Sequence, residues 1–235
     1  MSRNYVIING TNSLTLQGLA INILPPITKP LMRTIREEID GRNGDINTPL
    51  GYQAYDKQLE IGLFGTFDVD AIIKFFASEG TIVFSDENDK YYKFQILDKI
   101  DFTRLIKFRT AVVNIHCQPF KYPISNAPVS LSSGNNTITN QGNVYSKPLM
   151  TFSGTGTLSV YLNGSQMFSI DMTDLTSIAI DTELMEAYDP NNGNLLNRRV
   201  TGDYSKFQLD VGANTITLSA TTIGTCTIEN ITRWL

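Results

Sequence analysis

Residues 157–162 read Thr-Leu-Ser-Val-Tyr-Leu, with every second side chain apolar, and the same period of two recurs along most of the chain. A β-strand turns successive side chains to opposite faces, so this pattern suits a strand with one face buried and the other in water. Asn163-Gly164 follow at once. That dipeptide accepts the positive φ angles of a two-residue hairpin turn, so residues 166–172 are the predicted return strand. Alternating runs also cover residues 5–8, 81–85, 91–97, 107–117, 177–183, 205–210, 215–219 and 225–234. So many short strands, punctuated by Gly and Asn turns, predict a mainly β protein built of sandwiches or barrels.

One helix interrupts the pattern, over residues 69–79. Asp68 is placed to cap its first N–H groups, Val69, Ile72, Ile73 and Phe76 repeat at helical spacing, and Gly80 offers a left-handed exit. A hairpin is predicted next, with residues 81–85 and 90–97 as strands and Asp86-Glu87-Asn88-Asp89 as its polar turn. Residues 33–45 are harder to assign, because Arg and Glu are good helix formers and Ile35 and Ile39 fit either period. The flanking prolines, with Gly41 and Gly44, favour a strand and turn within an extended arm over residues 23–51.

The chain has 235 residues, which suits one or two domains. Residues 123–142 are rich in Ser, Asn, Pro and Gly and nearly free of charge, so they read as a linker leading into a first strand near Thr137. The boundary is expected near residue 127, giving domains 1–127 and 128–235. The second is of ordinary sandwich size, about 100 residues.

Charge narrows the function. The net charge is −4, residues 1–130 balance 14 Lys/Arg against 14 Asp/Glu, and residues 131–235 carry 5 against 9. Neither half holds the basic stripe that phosphate neutralisation requires, so no nucleic-acid contact is expected. No apolar stretch approaches a membrane span, and the first apolar run breaks at Asn9-Gly10, short of a secretory h-region, so assembly in a cytoplasm is expected. Cys117 and Cys226 lie far apart on alternating runs and read as two buried thiols rather than a disulfide.

Candidate chemistry is thin. His116 is the single histidine, no nucleophile elbow or Cys-x-x-Cys partner accompanies it, and Cys117 next to it points to the other strand face. Asp181 and Glu183 share a predicted strand face as a glycosidase pair would, yet acidic side chains on a solvent face also discourage strand-to-strand aggregation. Asp189-Pro190-Asn191-Asn192-Gly193-Asn194 has oxygen donors but lacks the closing Glu of an EF-hand loop and reads as a turn. Gly154-Thr155-Gly156 has no Lys-Ser/Thr after it and reads as a bend between strands. No catalytic residue, metal site or cofactor is therefore expected.

Several segments in order resemble the distal tail protein (Dit) family of siphovirus-type bacteriophages and related prophages. Ile39-Asp40-Gly41-Arg42-Asn43-Gly44-Asp45 is similar to that family's Gly-Arg-Asp-Gly-Asp turn, with Asn43 in place of the usual Asp. Asp86 to Phe94, continuing through Ile100 to Phe108, is a second segment. Cys117-Gln118-Pro119-Phe120-Lys121-Tyr122 resembles the Pro-Phe-x-Tyr that closes the family's N-terminal domain. Asn140-Gln141-Gly142, Ser146-Lys147-Pro148, Ser153-Gly154-Thr155-Gly156, Ile180-Asp181-Thr182-Glu183 and Thr232-Arg233-Trp234-Leu235 follow in the family's order. The resemblance singles out Gly41, Arg42, Gly44, Asp45, Pro119, Phe120 and Tyr122 as structural motif positions. It implies an N-terminal β-sandwich with one added helix and an extended arm, followed by a galectin-like β-sandwich. It further implies a homo-oligomeric, hexameric ring in the virion tail tip, joining the tail tube protein to the tail-associated lysin or fibre protein, with receptor-binding proteins as a further partner. The competing reading is a cell-surface glycan-binding module.

Overall fold

A computed structural model describes residues 3–235, and the backbone alone at residues 220–223. The chain divides into two compact units, the residues up to Ile124 together with Leu235, and Ser125–Trp234. Both are mainly β.

In the first unit the elements are β1 (Val6–Ile8), β2 (Thr11–Asn12), β3 (Leu19–Ile23), β4 (Met32–Glu38), β5 (Asp45–Tyr52), β6 (Tyr55–Leu63), α1 (Val69–Phe75), β7 (Glu79–Phe84), β8 (Lys90–Gln95), α2 (Phe102–Phe108) and β9 (Thr110–Pro123). Seven strands form an antiparallel sheet in the order β2-β1-β7-β8-β9-β6-β3, and β4 and β5 pair only with each other. The alternation works as predicted. Val6, Leu59, Ile61, Ile82, Val113 and Ile115 face one core, while most of their chain neighbours are more exposed. The sheet curls over this core, and its two ends are tied by side chains. Arg3 Nη2 donates to the Leu19 carbonyl at 3.2 Å and Asn4 Nδ2 to the Asn22 carbonyl at 3.2 Å. Ile72, Phe75 and Phe76 of the α1 region and Leu105 of α2 complete the core.

Three local expectations need correction here. Asp68 does cap α1, accepting from the Asp70 and Ala71 N–H groups, but the helix stops at Phe75 and Phe76 is its C-cap. Gly80 instead lies in β7 opposite Phe94 at φ +139°, where a Cβ would run into the Asn9 side chain. Asn9 occupies that space because its amide bonds the Glu79 carbonyl and the Thr81 N–H. A second helix, α2, takes the start of the predicted strand 107–117, which begins at Thr110. Asp101 accepts from Arg104 N–H at its start and Arg109 closes it at φ 61°.

The second unit holds β10 (Val129–Leu131), β11 (Gly134–Asn140), β12 (Leu149–Leu162), β13 (Ser165–Asp171), β14 (Ser177–Asp181), β15 (Glu186–Tyr188), β16 (Val200–Gly202) and β17 (Gly212–Glu229). The long strands β12 and β17 pair with each other on both sides of a register break between Phe152 and Leu158. The first half of β12 pairs β14 and the second half pairs β13. A bend at Gly154 (φ 144°) and Gly156 (φ 84°) thus lets one strand serve two leaves, which sandwich Phe152, Val160, Phe168, Ile178, Leu218 and Ile228. Asn163 (φ 50°) and Gly164 (φ 85°) make the predicted hairpin turn.

Residues 123–142 are not a long linker, since they contain the end of β9, all of β10 and all of β11. Their polar composition reflects Asn and Ser that serve the backbone: Asn136 Oδ1 accepts from Ser132 N–H, and Asn140 Nδ2 donates to the Val144 carbonyl. The predicted strand 205–210 is a 3₁₀ turn over Tyr204–Lys206 followed by an isolated bridge from Leu209 to Ser146. Phe207 and Leu209 alternate there because both are plugged into the core. The predicted strand 177–183 ends at Asp181, and the predicted strands 215–219 and 225–234 are parts of the single strand β17, which ends at Glu229.

Candidate assembly arm and its root

β4 and β5 form a ribbon with no buried residue in either strand. Glu38 pairs with Asp45 near the tip and Met32 with Tyr52 at the base. An isolated two-stranded ribbon is marginal in water, because it has no sheet face to bury. This one exposes Met32, Ile35, Ile39 and Leu50, apolar side chains that gain only from contact beyond the ribbon. Its tip carries the first motif. Gly41 (φ 82°) and Gly44 (φ 83°) supply left-handed turns in open space, and Arg42 N–H donates to the Ile39 carbonyl at 3.1 Å. Asp45 accepts from Asn47 Nδ2 at 3.3 Å and stands 3.9 Å from Arg36 Nε, both exposed, so this pair contributes little stability.

The root is built differently. In β9 the residues from Cys117 to Lys121 face only Phe94 to Tyr92 of β8, so Gln118-Pro119-Phe120 bulge out of the ladder. Pro119 has no N–H to give to a ladder, which is why the irregularity falls there. The bulge sends Phe120 against Tyr52, edge to face at 5.8 Å between centroids. Tyr122 then stacks on Tyr91 at 5.5 Å. The two motif groups are thus separated by the length of β5: Gly41, Arg42, Gly44 and Asp45 mark the tip, while Pro119, Phe120 and Tyr122 mark the base, roughly 23 Å away at the usual rise of a strand.

Beneath the root lies a polar cluster that motif reading did not single out. Lys57 and Lys121 both stand in the buried phase of their strands and are 3% and 4% exposed. Lys121 donates to Glu87 Oε1 at 2.8 Å, and Tyr92 OH donates to Glu87 Oε2 at 2.6 Å. Burial pushes the Glu87 carboxyl up, but the bonds from Lys121 and Tyr92 outweigh it and hold the group below its ordinary value. Burial, then the bond to Glu87, raises the Tyr92 phenol. The sequence signal was present: Lys57 interrupts the apolar phase Tyr55, Leu59, Ile61.

The other sequence candidates are engaged structurally. His116 Nδ1 lies 2.7 Å from Asp56 Oδ1 across the β6–β9 pair. Asp181 Oδ1 accepts from the Glu183 and Leu184 N–H groups, and Glu183 accepts from the buried Arg233 at 2.7 Å, so the two carboxylates do not face a shared cleft. Asp189 accepts from the Asn191 N–H and from Asn191 and Asn192 side-chain amides, as a turn residue does. Cys117 and Cys226 are buried free thiols, each pushed up to about 12 by burial. Among the described residues no group of three or more His, Cys, Asp or Glu could hold a metal ion, and no helix is long and apolar enough to cross a membrane.

No protein-family profile matches the chain, and no curated protein matches it. Solved structures do. The chain aligns with the SPP1 Dit protein, described as a paradigm of the hub adsorption apparatus in phages infecting Gram-positive hosts, at a TM-score of 0.69 and 15% identity over 100% of both chains. The chain has the Dit fold. A chain of the phage P2 baseplate in its activated, Ca-bound conformation aligns at a TM-score of 0.50 and 13% identity over 98% of each chain. The Dit likeness covers all of this chain, and so takes in both units rather than one half alone.

Proposed function

We propose that this chain is a structural hub of a phage tail tip, a virion component and not an enzyme. Copies join through the arm into a closed homo-oligomeric ring, hexameric in the reading its motifs support. The ring connects the tail tube protein to the tail-associated lysin or fibre protein, with receptor-binding proteins as a further partner. The observation that carries this is the full-length likeness to the Dit hub. The exposed ribbon is the part suited to the task, since a ring needs a contact in which one surface of a copy meets a different surface of the next. Light-scattering mass measurement with negative-stain imaging of the purified protein tests it. Rings of six copies are expected, and a monomer that persists at high concentration refutes the ring. Saturable binding of that monomer to bacterial wall polysaccharide would instead establish a glycan-binding module.

A further inference from the structure

Lys57 lies on the inner face of β6, 3% exposed, with its ammonium 2.8 Å from the Pro26 carbonyl. The charge is otherwise wrapped by aromatic faces, with ring centroids at 5.1 Å (Tyr92), 5.3 Å (Tyr55) and 5.7 Å (Phe84). Its neighbour Lys121 has the Glu87 carboxylate as partner, so the two buried cations are used differently. A buried lysine that served only to neutralise an acid would sit on one. Lys57 sits on backbone, and that backbone is special. Residues 24–30 read Leu-Pro-Pro-Ile-Thr-Lys-Pro, where three prolines lock φ and stiffen the strand of chain entering the arm. Tyr55 OH reaches the same segment at the Thr28 carbonyl, 3.4 Å away, and Gln53 N–H closes the arm base on the Leu31 carbonyl at 2.8 Å.

We propose that Lys57 is the positioning residue of the arm: by fastening the stiff proline segment at Pro26, it sets the direction in which the β4–β5 ribbon leaves the first unit. This rests on the reading of the arm as the joining element. A hairpin with no buried residue has no packing of its own to fix its direction, so its direction must come from its root. A charge-assisted bond in a low-dielectric, aromatic pocket is strong and specific in direction, and a neutral side chain of equal length would not replace it.

The test is Lys57→Met, which keeps most of the unbranched stem and removes the bond. Hydrogen–deuterium exchange of dilute protein should show the amides of residues 31–38 and 45–53 exchanging about tenfold faster or more, the weight of one such bond, while β6–β9 amides remain protected. Trypsin should cut faster at Arg33, Arg36 and Arg42, and the yield of assembled rings should fall. Unchanged exchange and cleavage in the arm would overturn the proposal. Where Lys57→Met also loses β6–β9 protection, Pro30→Gly decides: it removes the stiffness between the fastened Pro26 carbonyl and β4 while leaving Lys57 and its bond in place, and arm exchange as slow as in the parent protein would overturn the proposal equally. If the parent protein forms no rings, the assembly reading fails, while the exchange comparison still tests Lys57 on its own.

Discussion

Removing Lys121 should destabilise the first unit strongly, and removing its partner as well should undo most of the damage. The side chains of Lys121 and Glu87 are 5% and 12% exposed, with 2.8 Å between the charged atoms. At that separation and an effective dielectric of about 20, the attraction is about 6 kcal/mol. Desolvation costs several kcal/mol per ion, so the net gain over a well-packed apolar pair is near zero. Lys121→Met alone takes the buried Glu87 carboxylate's cationic hydrogen-bond donor away and leaves the bond from the Tyr92 hydroxyl and the charge of Lys90, and breaking such a pair from one side costs about 3–5 kcal/mol.

Urea unfolding followed separately for the two units is the assay, because a two-unit chain need not unfold in one step. With a slope of about 1.5 kcal/mol per molar urea, the first transition should move down by about 2–3 M in Lys121→Met, and the second should not move. Lys121→Met combined with Glu87→Leu should recover most of the loss, giving a large coupling term in the double-mutant cycle. A single-variant loss under about 1 kcal/mol, or a double variant as unstable as the single one, would show that the pair is wetter than its burial indicates.

Three further outcomes follow from the same structure. The folded Glu87 carboxyl is held below its ordinary value of 4.5, so its contribution is fully present above that value and is lost as pH falls through the lower, folded one. The stability gap between the parent protein and Glu87→Gln, measured by urea unfolding from pH 7 down to pH 3, should therefore narrow on acidification, and a constant gap refutes the assignment. Arg233, 2% exposed, donates to the Tyr145 carbonyl at 2.6 Å and to Glu183 at 2.7 Å; the Glu183 side chain is 47% exposed and can return to water, so Arg233→Ala should lower the second unit's stability by about 1.5–3 kcal/mol in the same assay and leave the first unit unchanged. Burial pushes both thiols up to about 12, so neither Cys117 nor Cys226 should react with a thiol reagent at pH 8 until the chain unfolds; rapid labelling of the native protein refutes this.

The elements legible in the sequence were those whose pattern and packing agree. Asn163-Gly164 reads as a turn because the backbone there needs two positive φ angles and no other contact overrides it. Residues 205–210 misled for the opposite reason: Phe207 and Leu209 alternate like a strand, but they fill the core from a coil that pairs with Ser146 at one bridge. The start of the strand predicted over residues 107–117 belongs to helix α2, because Leu105 buries one helical turn just ahead of the alternating run and the two patterns overlap there. Gly80 misled because its freedom serves the approach of Asn9, a residue far away in sequence. At the arm, tip and base were both visible as motifs, but not their opposite roles, since that depends on how far apart the ribbon holds them.

Low sequence identity and a shared fold are compatible, because most of what specifies this architecture is pattern rather than residue identity. Alternation, a bent long strand and a bulge at a proline constrain which positions are apolar, not which apolar residue stands there, so 15% identity over the full chain is compatible with one architecture. Buried charge is different. Lys57 and Lys121 stand where the pattern calls for an apolar side chain, and each violates the local rule for a partner that only the folded chain supplies, a carbonyl at the arm's root and a carboxylate from the β7–β8 turn. Positions that break a pattern and are satisfied only by tertiary structure carry specificity that composition cannot, and here both lie under the single element with no core of its own. The ring proposed for this chain requires an arm that leaves every copy in one direction, and a fixed root meets that requirement where the ribbon itself cannot.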